Sequence, residues 1–335
     1  MCTALSFKTG DHYFGRNLDL ECAFKETVTI TPRGYPFVFR RMPAMRTHCA
    51  MIGMASVVDD YPLYYDAANE CGLSIAALNF PGNAHYPQET TDRQNIAPFE
   101  FIPWILGQCA TVTQARTLLE RMCLASIPFS DSLPLSPLHF MISDRNESIT
   151  VEPMEDGLRI FSNPIGVLTN NPPFDYQMTN LTNYMALSPQ APDNTLFDGI
   201  SLKPFSRGMG ALGLPGDLSS ASRFVRAAYM KATSVCADSE AASVSQFFHL
   251  LGSVHHLRGS VLVDGKPEIT QYSSCCNTDK GIYYYTTYEN SRITGIDLHA
   301  EDLDAHNLIC YPLLNEQDIL MQNQNQTDEQ GSCQV

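Results

Sequence analysis

Residues 1–79 contain several short segments in which apolar and polar residues alternate. Successive side chains of a strand point to opposite faces of a sheet, so this period predicts β-strands. Strands that follow one another closely along the chain favour an antiparallel sheet. At the N-terminus, Thr9-Gly10-Asp11 reads as a turn between two strands. Further strands are predicted at residues 26–32, 50–58, 64–67 and 72–79.

The apolar pattern changes to a helical period after residue 95. Phe101, Ile105 and Cys109 share one helical face, and Thr113 is the expected N-cap of a second helix at residues 113–122. The order of the remaining segments predicts an α+β domain with large sheets. Those segments are strands at 138–144, 148–153, 158–161 and 167–170, helices at 174–185, 220–233 and 243–257, and strands at 269–276, 281–288 and 293–297.

No repeat or linker divides the chain, so we expect one domain over residues 2–315. The residues beyond it, 316–335, are expected to form a disordered tail. The last dozen residues are rich in Gln and Asn, which is a composition typical of disorder.

The composition is that of an ordered, acidic globular protein. Hydrophobic residues make up 44% of the 335 residues, charged residues 17%, and the formal net charge is −15. Nucleic acids and anionic membranes need a basic surface, so this charge disfavours both as partners. No apolar run reaches the roughly 20 residues of a membrane span, and no signal sequence is recognisable. The eleven cysteines form neither a Cys-x-x-Cys motif nor a zinc-type cluster, so we expect reduced thiols, a cytoplasmic location and no metal.

The strongest candidate for a catalytic residue is Cys2. Excision of Met1 would leave a thiol and a free α-amine on one residue. An α-amine has a pKa of roughly 7.7–8.0, so part of it is already a neutral base at pH 7. The N-terminal hairpin should bring Arg16 and Asp19 alongside Cys2, where a guanidinium favours the thiolate and a carboxylate orients the α-ammonium. The alternative is that Cys2 has no role, as in most proteins with cysteine at this position.

The chain resembles the choloylglycine hydrolase family of N-terminal-nucleophile amidases, which includes bile salt hydrolases and penicillin V acylases. The resemblance extends from Cys2 to about residue 313 and implies a four-layer αββα sandwich with two antiparallel sheets. It rests on Met-Cys-Thr-Ala at 1–4, Tyr-Phe-Gly-Arg-Asn-Leu-Asp at 13–19, Asp-Asp-Tyr-Pro at 59–62, Leu-Asn-Phe-Pro at 78–81, Gly-Val-Leu-Thr-Asn at 166–170, Leu-Pro-Gly-Asp at 214–217, Ala-Ser-Arg-Phe at 221–224 and Gly-Ile-Tyr-Tyr-Tyr-Thr-Thr-Tyr at 281–288.

The resemblance also implies roles for particular residues. Asn79 and Asn170 would hold the oxyanion, whereas each alone could simply serve the turn that follows it. Arg223 would support the nucleophile electrostatically, although such an arginine is ordinarily on a solvated helix face. With Cys2, Arg16 and Asp19 these form the expected catalytic set, and no metal or cofactor is required. The substrate pocket is expected to be lined by Leu18, Tyr64, Asn79, Ile127, Phe129 and Leu133.

Three functions remain open at this stage. Asparagine at position 79 resembles bile salt hydrolases, which cleave glycine- or taurine-conjugated bile salts, whereas penicillin V acylases commonly carry tyrosine there. A silent protein that binds amphipathic anions and retains Met1 is the third possibility. Family relatives are typically homotetramers, and the tyrosines at 283–285 are compatible with an interface or with packing. His249, His255 and His256 are expected in surface or capping roles, because their spacing does not fit a metal site.

Overall fold

The structure is a computed structural model that describes residues 1–324. It contains α-helices α1 (Phe101–Gln108), α2 (Val112–Leu119), α3 (Phe174–Leu181), α4 (Ser220–Thr233) and α5 (Glu240–Gly252). Its strands are β1 (Cys2–Lys8), β2 (His12–Leu20), β3 (Thr27–Thr31), β4 (Met51–Val58), β5 (Tyr61–Asn69), β6 (Ser74–Asn79), β7 (Gln94–Ile96), β8 (Met122–Leu124), β9 (Leu138–Ser143), β10 (Ser148–Met154), β11 (Gly157–Ser162), β12 (Val167–Leu168), β13 (Leu262–Val263), β14 (Lys266–Pro267), β15 (Ile269–Asn277), β16 (Ile282–Thr287), β17 (Thr294–Asp297) and β18 (Ile309–Pro312). Short 3-10 turns lie at Pro98–Glu100, Thr182–Tyr184, Met209–Ala211, Leu298–Ala300 and Gln322–Gln324.

Two large sheets form the centre of the fold. The six-stranded sheet has the order β12-β1-β2-β15-β16-β17, and the eight-stranded sheet has the order β11-β10-β9-β6-β5-β4-β3-β18. Neighbouring strands in both sheets run antiparallel. The prediction of two large antiparallel sheets is therefore confirmed.

Helices cover the outer face of each sheet. Helices α4 and α5 pack on the six-stranded sheet, where Phe224 and Phe247 join its core. Helix α1 packs on the eight-stranded sheet, where Phe101 stacks on Phe140 with ring centroids 3.9 Å apart. The molecule is thus the four-layer αββα sandwich that the family resemblance implied. Because the six-stranded sheet lies between two layers, β1 is buried on both faces over Cys2–Phe7.

Several element boundaries differ from the sequence predictions. The side chain of Thr111, not that of Thr113, accepts the backbone N–H of Gln114 and caps α2. Helix α5 is capped by Ser239 and ends at Gly252, so it lies earlier than predicted. Strand β18 was not predicted, yet it completes the edge of the eight-stranded sheet by pairing with β3.

The predicted tail is only partly described. Residues 316–323 are exposed and belong to neither large sheet. Residues 325–335 lie outside the described residues, so disorder there stays a prediction. Among the helices of residues 1–324, none combines the length and apolarity needed to cross a bilayer.

Candidate active site

Cys2 is the first residue of β1 and lies inside the six-stranded sheet with 2% of its surface exposed. The predicted hairpin forms, and its register places Cys2 opposite Leu18 and Ala4 opposite Arg16. The backbone N–H of Asp19 donates to the carbonyl of Met1 at 2.8 Å. Leu18 and Asp19 are therefore direct neighbours of the N-terminus, as the turn at residues 9–11 required.

The N-terminal backbone is held by three groups. The Met1 α-amine donates to the Asp19 carbonyl and to Oε2 of Glu268, at 2.5 and 2.9 Å. The backbone N–H of Cys2, which becomes the α-amine if Met1 is removed, donates to Oδ1 of Asn170 at 2.8 Å. The start of the chain is thus fixed on both sides of the Met1–Cys2 bond.

Arg223 reaches Cys2 from the first turns of α4. Its Nη1 donates to the Cys2 carbonyl at 2.5 Å and to Oγ1 of Thr3 at 2.6 Å, and its Nη2 donates to Oδ1 of Asn170 at 2.7 Å. The side chain is fully buried, so it does not belong to a solvated helix face. Burial lowers the pKa of Arg223, while Asp19 and Cys2 oppose that shift. Arginine remains charged even so, and it places a fixed positive charge beside Cys2.

Both ends of the Asn170 side chain are occupied. Its Oδ1 accepts from Cys2 and Arg223, and its Nδ2 donates to the Asn79 carbonyl at 2.7 Å. Its backbone N–H donates to Oγ of Ser220 at 2.8 Å, which ties the residue to the N-terminus of α4. Asn170 therefore links Cys2 to α4 and to the end of β6, so its contacts extend well beyond the turn that follows it. Asn79, the last residue of β6, has an exposed side chain.

Arg16 is fully buried between the two sheets. Its Nη1 donates to the Tyr65 carbonyl at 3.0 Å and to the Ala77 carbonyl, while its Nη2 has no partner within residues 1–324. Burial alone would lower the pKa of Arg16, but neighbouring acidic groups, Cys2 first among them, raise it. The guanidinium therefore stays charged next to the thiol, as the sequence predicted for this pair.

Asp19 has one oxygen bound and one free. Its Oδ1 accepts from Oγ1 of Thr270 at 2.6 Å. Its Oδ2 is buried and has no hydrogen-bond partner in the described part of the chain. Nε2 of His256 lies 3.7 Å from Oδ2, and Nδ1 of the same ring lies 3.0 Å from Oε1 of Glu268. A buried carboxylate oxygen without a hydrogen-bond donor lowers stability. Oδ2 is therefore suited to accept a hydrogen bond from an additional N–H of an ammonium group.

The group around Asp19 contains one histidine whose role was predicted wrongly and two residues, Glu268 and Thr270, that the sequence analysis did not single out. His256 is fully buried between two carboxylates, so the expected surface or capping role for it is wrong. Glu268 immediately precedes β15 and Thr270 is the second residue of that strand, and side chains two residues apart share one face of an extended chain. The two-residue spacing could have indicated that these side chains lie on the same face. It does not show which distant residues that face contacts.

The expected pocket residues separate into two groups. Leu18 lies beside Cys2, and Ile127, Phe129 and Leu133 lie in the segment before β9, whose first residue pairs with Asn79. The Phe129 ring contacts those of Tyr61 and Phe99 at centroid distances of 6.0 and 5.1 Å.

Tyr64 is not brought to this group. It is buried in the core between the eight-stranded sheet and α1, where its hydroxyl shares a 2.7 Å hydrogen bond with Oγ1 of Thr31. The expectation that Tyr64 lines the pocket therefore stays a prediction.

Two further expectations concern metals and tyrosines. Residues 1–324 contain no group of three or more His, Cys, Asp or Glu side chains arranged to hold a metal ion. Tyr283 and Tyr285 are buried, and Tyr283 donates to Oδ2 of Asp66 at 2.7 Å. These two tyrosines therefore pack inside the molecule and do not present an interface.

Comparisons with known proteins agree with this geometry. A family profile described as "Linear amide C-N hydrolases, choloylglycine hydrolase family" matches residues 2–311. The chain is 54% identical over 317 residues to the bile salt hydrolase/transferase of Lactiplantibacillus plantarum, covering 94% of this chain and 98% of that protein.

Solved structures share the fold. The crystal structure of the C2A mutant of conjugated bile acid hydrolase from Clostridium perfringens superposes with a TM-score of 0.90 at 37% identity, over 96% of this chain and 100% of that one. Penicillin V acylase from Agrobacterium tumefaciens gives a TM-score of 0.73 at 18% identity over 92% and 90% of the two chains, which reflects the fold alone. The chain belongs to the choloylglycine hydrolase family of linear amide C–N hydrolases, and the motifs around Cys2, Asn79, Asn170 and Arg223 predicted this membership.

Proposed function

We propose that this amidase hydrolyses the amide bond of glycine- or taurine-conjugated bile salts, with Cys2 as the nucleophile after removal of Met1. The relatives named above as bile salt or conjugated bile acid hydrolases support this substrate class. The observation that carries the mechanism is the fixation of Cys2 at both ends of its backbone. Asn170 accepts from its nitrogen and Arg223 donates to its carbonyl, while Oδ2 of Asp19, which has no hydrogen-bond partner among residues 1–324, is buried nearby.

Removal of Met1 converts the Cys2 amide nitrogen into an α-amine. The amine keeps its hydrogen bond to Asn170 and has further N–H groups. We propose that Asp19 accepts a hydrogen bond from one of them. The neutral amine takes the thiol proton, and Sγ then attacks the amide carbonyl of the substrate. Arg16 and Arg223 place two fixed positive charges beside Cys2.

The tetrahedral intermediate then collapses to a thioester. The α-ammonium returns its proton to the leaving nitrogen, and glycine or taurine departs. A water molecule, deprotonated by the same amine, hydrolyses the thioester and releases the bile acid. We assign the oxyanion to Asn79 and Asn170, since Oδ1 of Asn170 is held by two donors and its amide group is thereby oriented.

The steroid would bind among the apolar side chains near the ends of β2, β6 and β9. Leu18, Ile127, Phe129 and Leu133 are the proposed contacts, and Tyr64, which is buried in the core beside α1, stays a predicted further contact. Penicillin V remains an alternative substrate of the same site. Asparagine at position 79 favours bile salts over it.

We further propose a homotetramer in a reducing, cytoplasmic compartment. The segment between α3 and α4 exposes large apolar side chains, which are typical of a surface that another chain covers. They include Met185, Leu196, Phe197, Phe205 and Leu212, with exposed fractions of 82%, 75%, 53%, 88% and 69%. A reducing compartment would keep Cys2 as a thiol. Light scattering coupled to size-exclusion chromatography tests the tetramer, and a monomeric mass would contradict it.

A silent binding protein is the second candidate, because the Met1 ammonium already has an ion pair with Glu268 at 2.9 Å. Intact-mass measurement separates the two functions. A mature chain that begins with Cys2 and hydrolyses glycocholate or taurocholate supports the amidase. A chain that retains Met1 and binds bile salts without turnover would overturn it. Penicillin V, assayed side by side, tests the alternative substrate, and Cys2→Ala is the inactive control.

A further inference from the structure

Two cavities outside the proposed active site meet at one lysine. The first, of about 360 Å³, lies between α3 and α4 and is mostly apolar. The second, of about 420 Å³, is polar and lies at the far end of β1 from Cys2. Lys231 and Pro164 line both. The apolar walls come from Ile165, Leu181, Leu187, Val225, Ala228 and Tyr229.

Among residues 1–324, the ammonium of Lys231 has one hydrogen-bond acceptor, the carbonyl of Ile165 at 2.5 Å. Within residues 1–324 no carboxylate lies at ion-pair distance from it, although the chain carries a net charge of −15. Burial lowers the pKa of Lys231 to about 8. A partly buried cation with a single neutral acceptor is therefore the least satisfied charge in this region.

The charged groups around the polar cavity are already engaged elsewhere. Asp144 accepts three backbone N–H groups, from Val112, Asn146 and Glu147, at 2.7, 2.7 and 3.0 Å. Arg145 pairs with Asp279.

Three more titratable groups face this cavity. Glu147 pairs with Arg116 at 3.5 Å. The pKa of His12 is lowered to about 4 by burial, so its ring is neutral at pH 7. Within residues 1–324, Lys8 Nζ donates only to the Arg145 carbonyl, at 3.2 Å. Lys8 and Lys231 are thus the two cations of this cavity that lack a carboxylate partner in the described part of the chain.

We propose that the two cavities form a second binding site for an amphipathic carboxylate, separate from the site at Cys2. The apolar body of the ligand would occupy the cavity between α3 and α4, and its carboxylate would pair with the Lys231 ammonium. Ser6 and Ser148 also line the polar cavity, where their hydroxyls already share hydrogen bonds with Nε2 of His12 at 3.1 Å and with Oγ of Ser143 at 2.8 Å. The unconjugated bile acid that the proposed reaction releases has this chemistry. This proposal rests on the proposed function only in the choice of a bile acid as the ligand to be tested.

Equilibrium dialysis of the full chain against radiolabelled cholate, below its aggregation concentration, counts the molecules bound per chain. Lys231→Met removes the charge while keeping a long side chain, and Ala232→Phe fills the apolar cavity from an exposed helix position. Lys266→Met is the matched control, since Lys266 is exposed on β14. We expect the first two variants to bind one cholate fewer per chain than the wild type and the control.

Equal stoichiometry in all four proteins would overturn the proposal. Loss in Ala232→Phe alone would show that the lysine is not the carboxylate partner, which also overturns it. If Lys231→Met does not fold, Ala232→Phe still decides whether the cavity is occupied. The test compares the number of cholate molecules bound per chain in the variants and the wild type. This difference of one molecule is expected even if the active site binds no cholate. Glycocholate turnover on the same preparations tests the proposed function separately.

The pH dependence gives an independent check on the ammonium. Lys231 binds an anion only when protonated, so affinity at this site should fall as pH rises past about 8. Between pH 7 and pH 9 we expect a loss of roughly tenfold, while the cholate carboxylate stays ionised. Unchanged affinity over this range would contradict pairing with Lys231.

Discussion

Arg223 and Asn170 share a hydrogen bond of 2.7 Å between Nη2 and Oδ1, and both residues also contact the backbone of Cys2. This contact joins the first turns of α4 to the segment that follows β12. It also fixes the orientation of the Asn170 amide, so that Oδ1 points to Cys2. An oxygen that accepts from a buried guanidinium cannot exchange places with the amide nitrogen without bringing two donors together. The arginine therefore orients the asparagine, and the asparagine orients the future α-amine.

The first prediction concerns the nucleophile. Cys2→Ser should fold normally, because the change is nearly isosteric, yet lower kcat by more than roughly 100-fold, since a hydroxyl is a far weaker acid than a thiol. Steady-state hydrolysis of glycocholate measures the loss, and the melting temperature controls for folding. Cys22→Ser, at an exposed position, is the matched control and should keep full activity. Near-full activity of Cys2→Ser would exclude Cys2 as the nucleophile.

The second prediction concerns Asp19. Asp19→Asn keeps an acceptor for Thr270 but removes the negative charge at the unpartnered Oδ2. We expect kcat to fall by about tenfold or more with little change in melting temperature, because a small misplacement of the base is enough to slow the reaction. Asp175→Asn, exposed on α3, is the control. A loss of stability as large as the loss of activity would instead mark Asp19 as structural.

The third prediction concerns the pH dependence of stability. Burial lowers the pKa of His12 to about 4, against 6.5 for an exposed histidine. Between these values the unfolded chain binds more protons at this residue than the folded chain, so the contribution of His12 to stability falls as pH decreases from 6.5 to 4. From pH 7 to pH 5 the loss should be about 2 kcal/mol.

Urea unfolding at both pH values, on wild type and His12→Gln, isolates this contribution. The variant cannot titrate at position 12, so its stability should depend less on pH by about the same 2 kcal/mol. His85→Gln, a histidine outside the large sheets, serves as the comparison. A pH dependence that is identical in wild type and His12→Gln would contradict the prediction.

The local sequence pattern was enough to predict the elements that position the proposed catalytic groups. Helix α4 spans Ser220–Thr233, the range predicted, and it carries Arg223 to the Cys2 carbonyl. The turn at residues 9–11 brings Asp19 to Met1 through a hairpin whose register follows from its length. The formation of the helix and of the turn depends on contacts within a few residues, which alternation and helical period encode directly.

Two features could not be read from the pattern, for different reasons. The pairing of β4 with β5 shifts register between Met54 and Ala55, and this irregularity turns Tyr64 away from the face that Asp66 occupies two residues later. A one-residue shift in register moves the side chains that follow to the opposite face of the sheet. The alternation of apolar and polar residues does not show where such a shift occurs. The contact of His256 with Asp19 joins residues more than two hundred positions apart, which only the packed sheet and α5 bring together.

The last prediction separates two roles of Asn170. If its side chain served only the turn before Pro172, Asn170→Ala would lower stability by about 1 kcal/mol and leave kcat unchanged. The structure instead gives Oδ1 two donors, Cys2 and Arg223, so the alanine variant loses the anchor of the α-amine together with a proposed oxyanion donor. We therefore expect kcat to fall about 10²–10³-fold with little change in KM, because these interactions strengthen in the transition state. Asn183→Ala, at an exposed position after α3, controls for the loss of an amide. Glycocholate kinetics on folded protein decide the matter, since an unchanged kcat would leave Asn79 as the one side-chain candidate for the oxyanion.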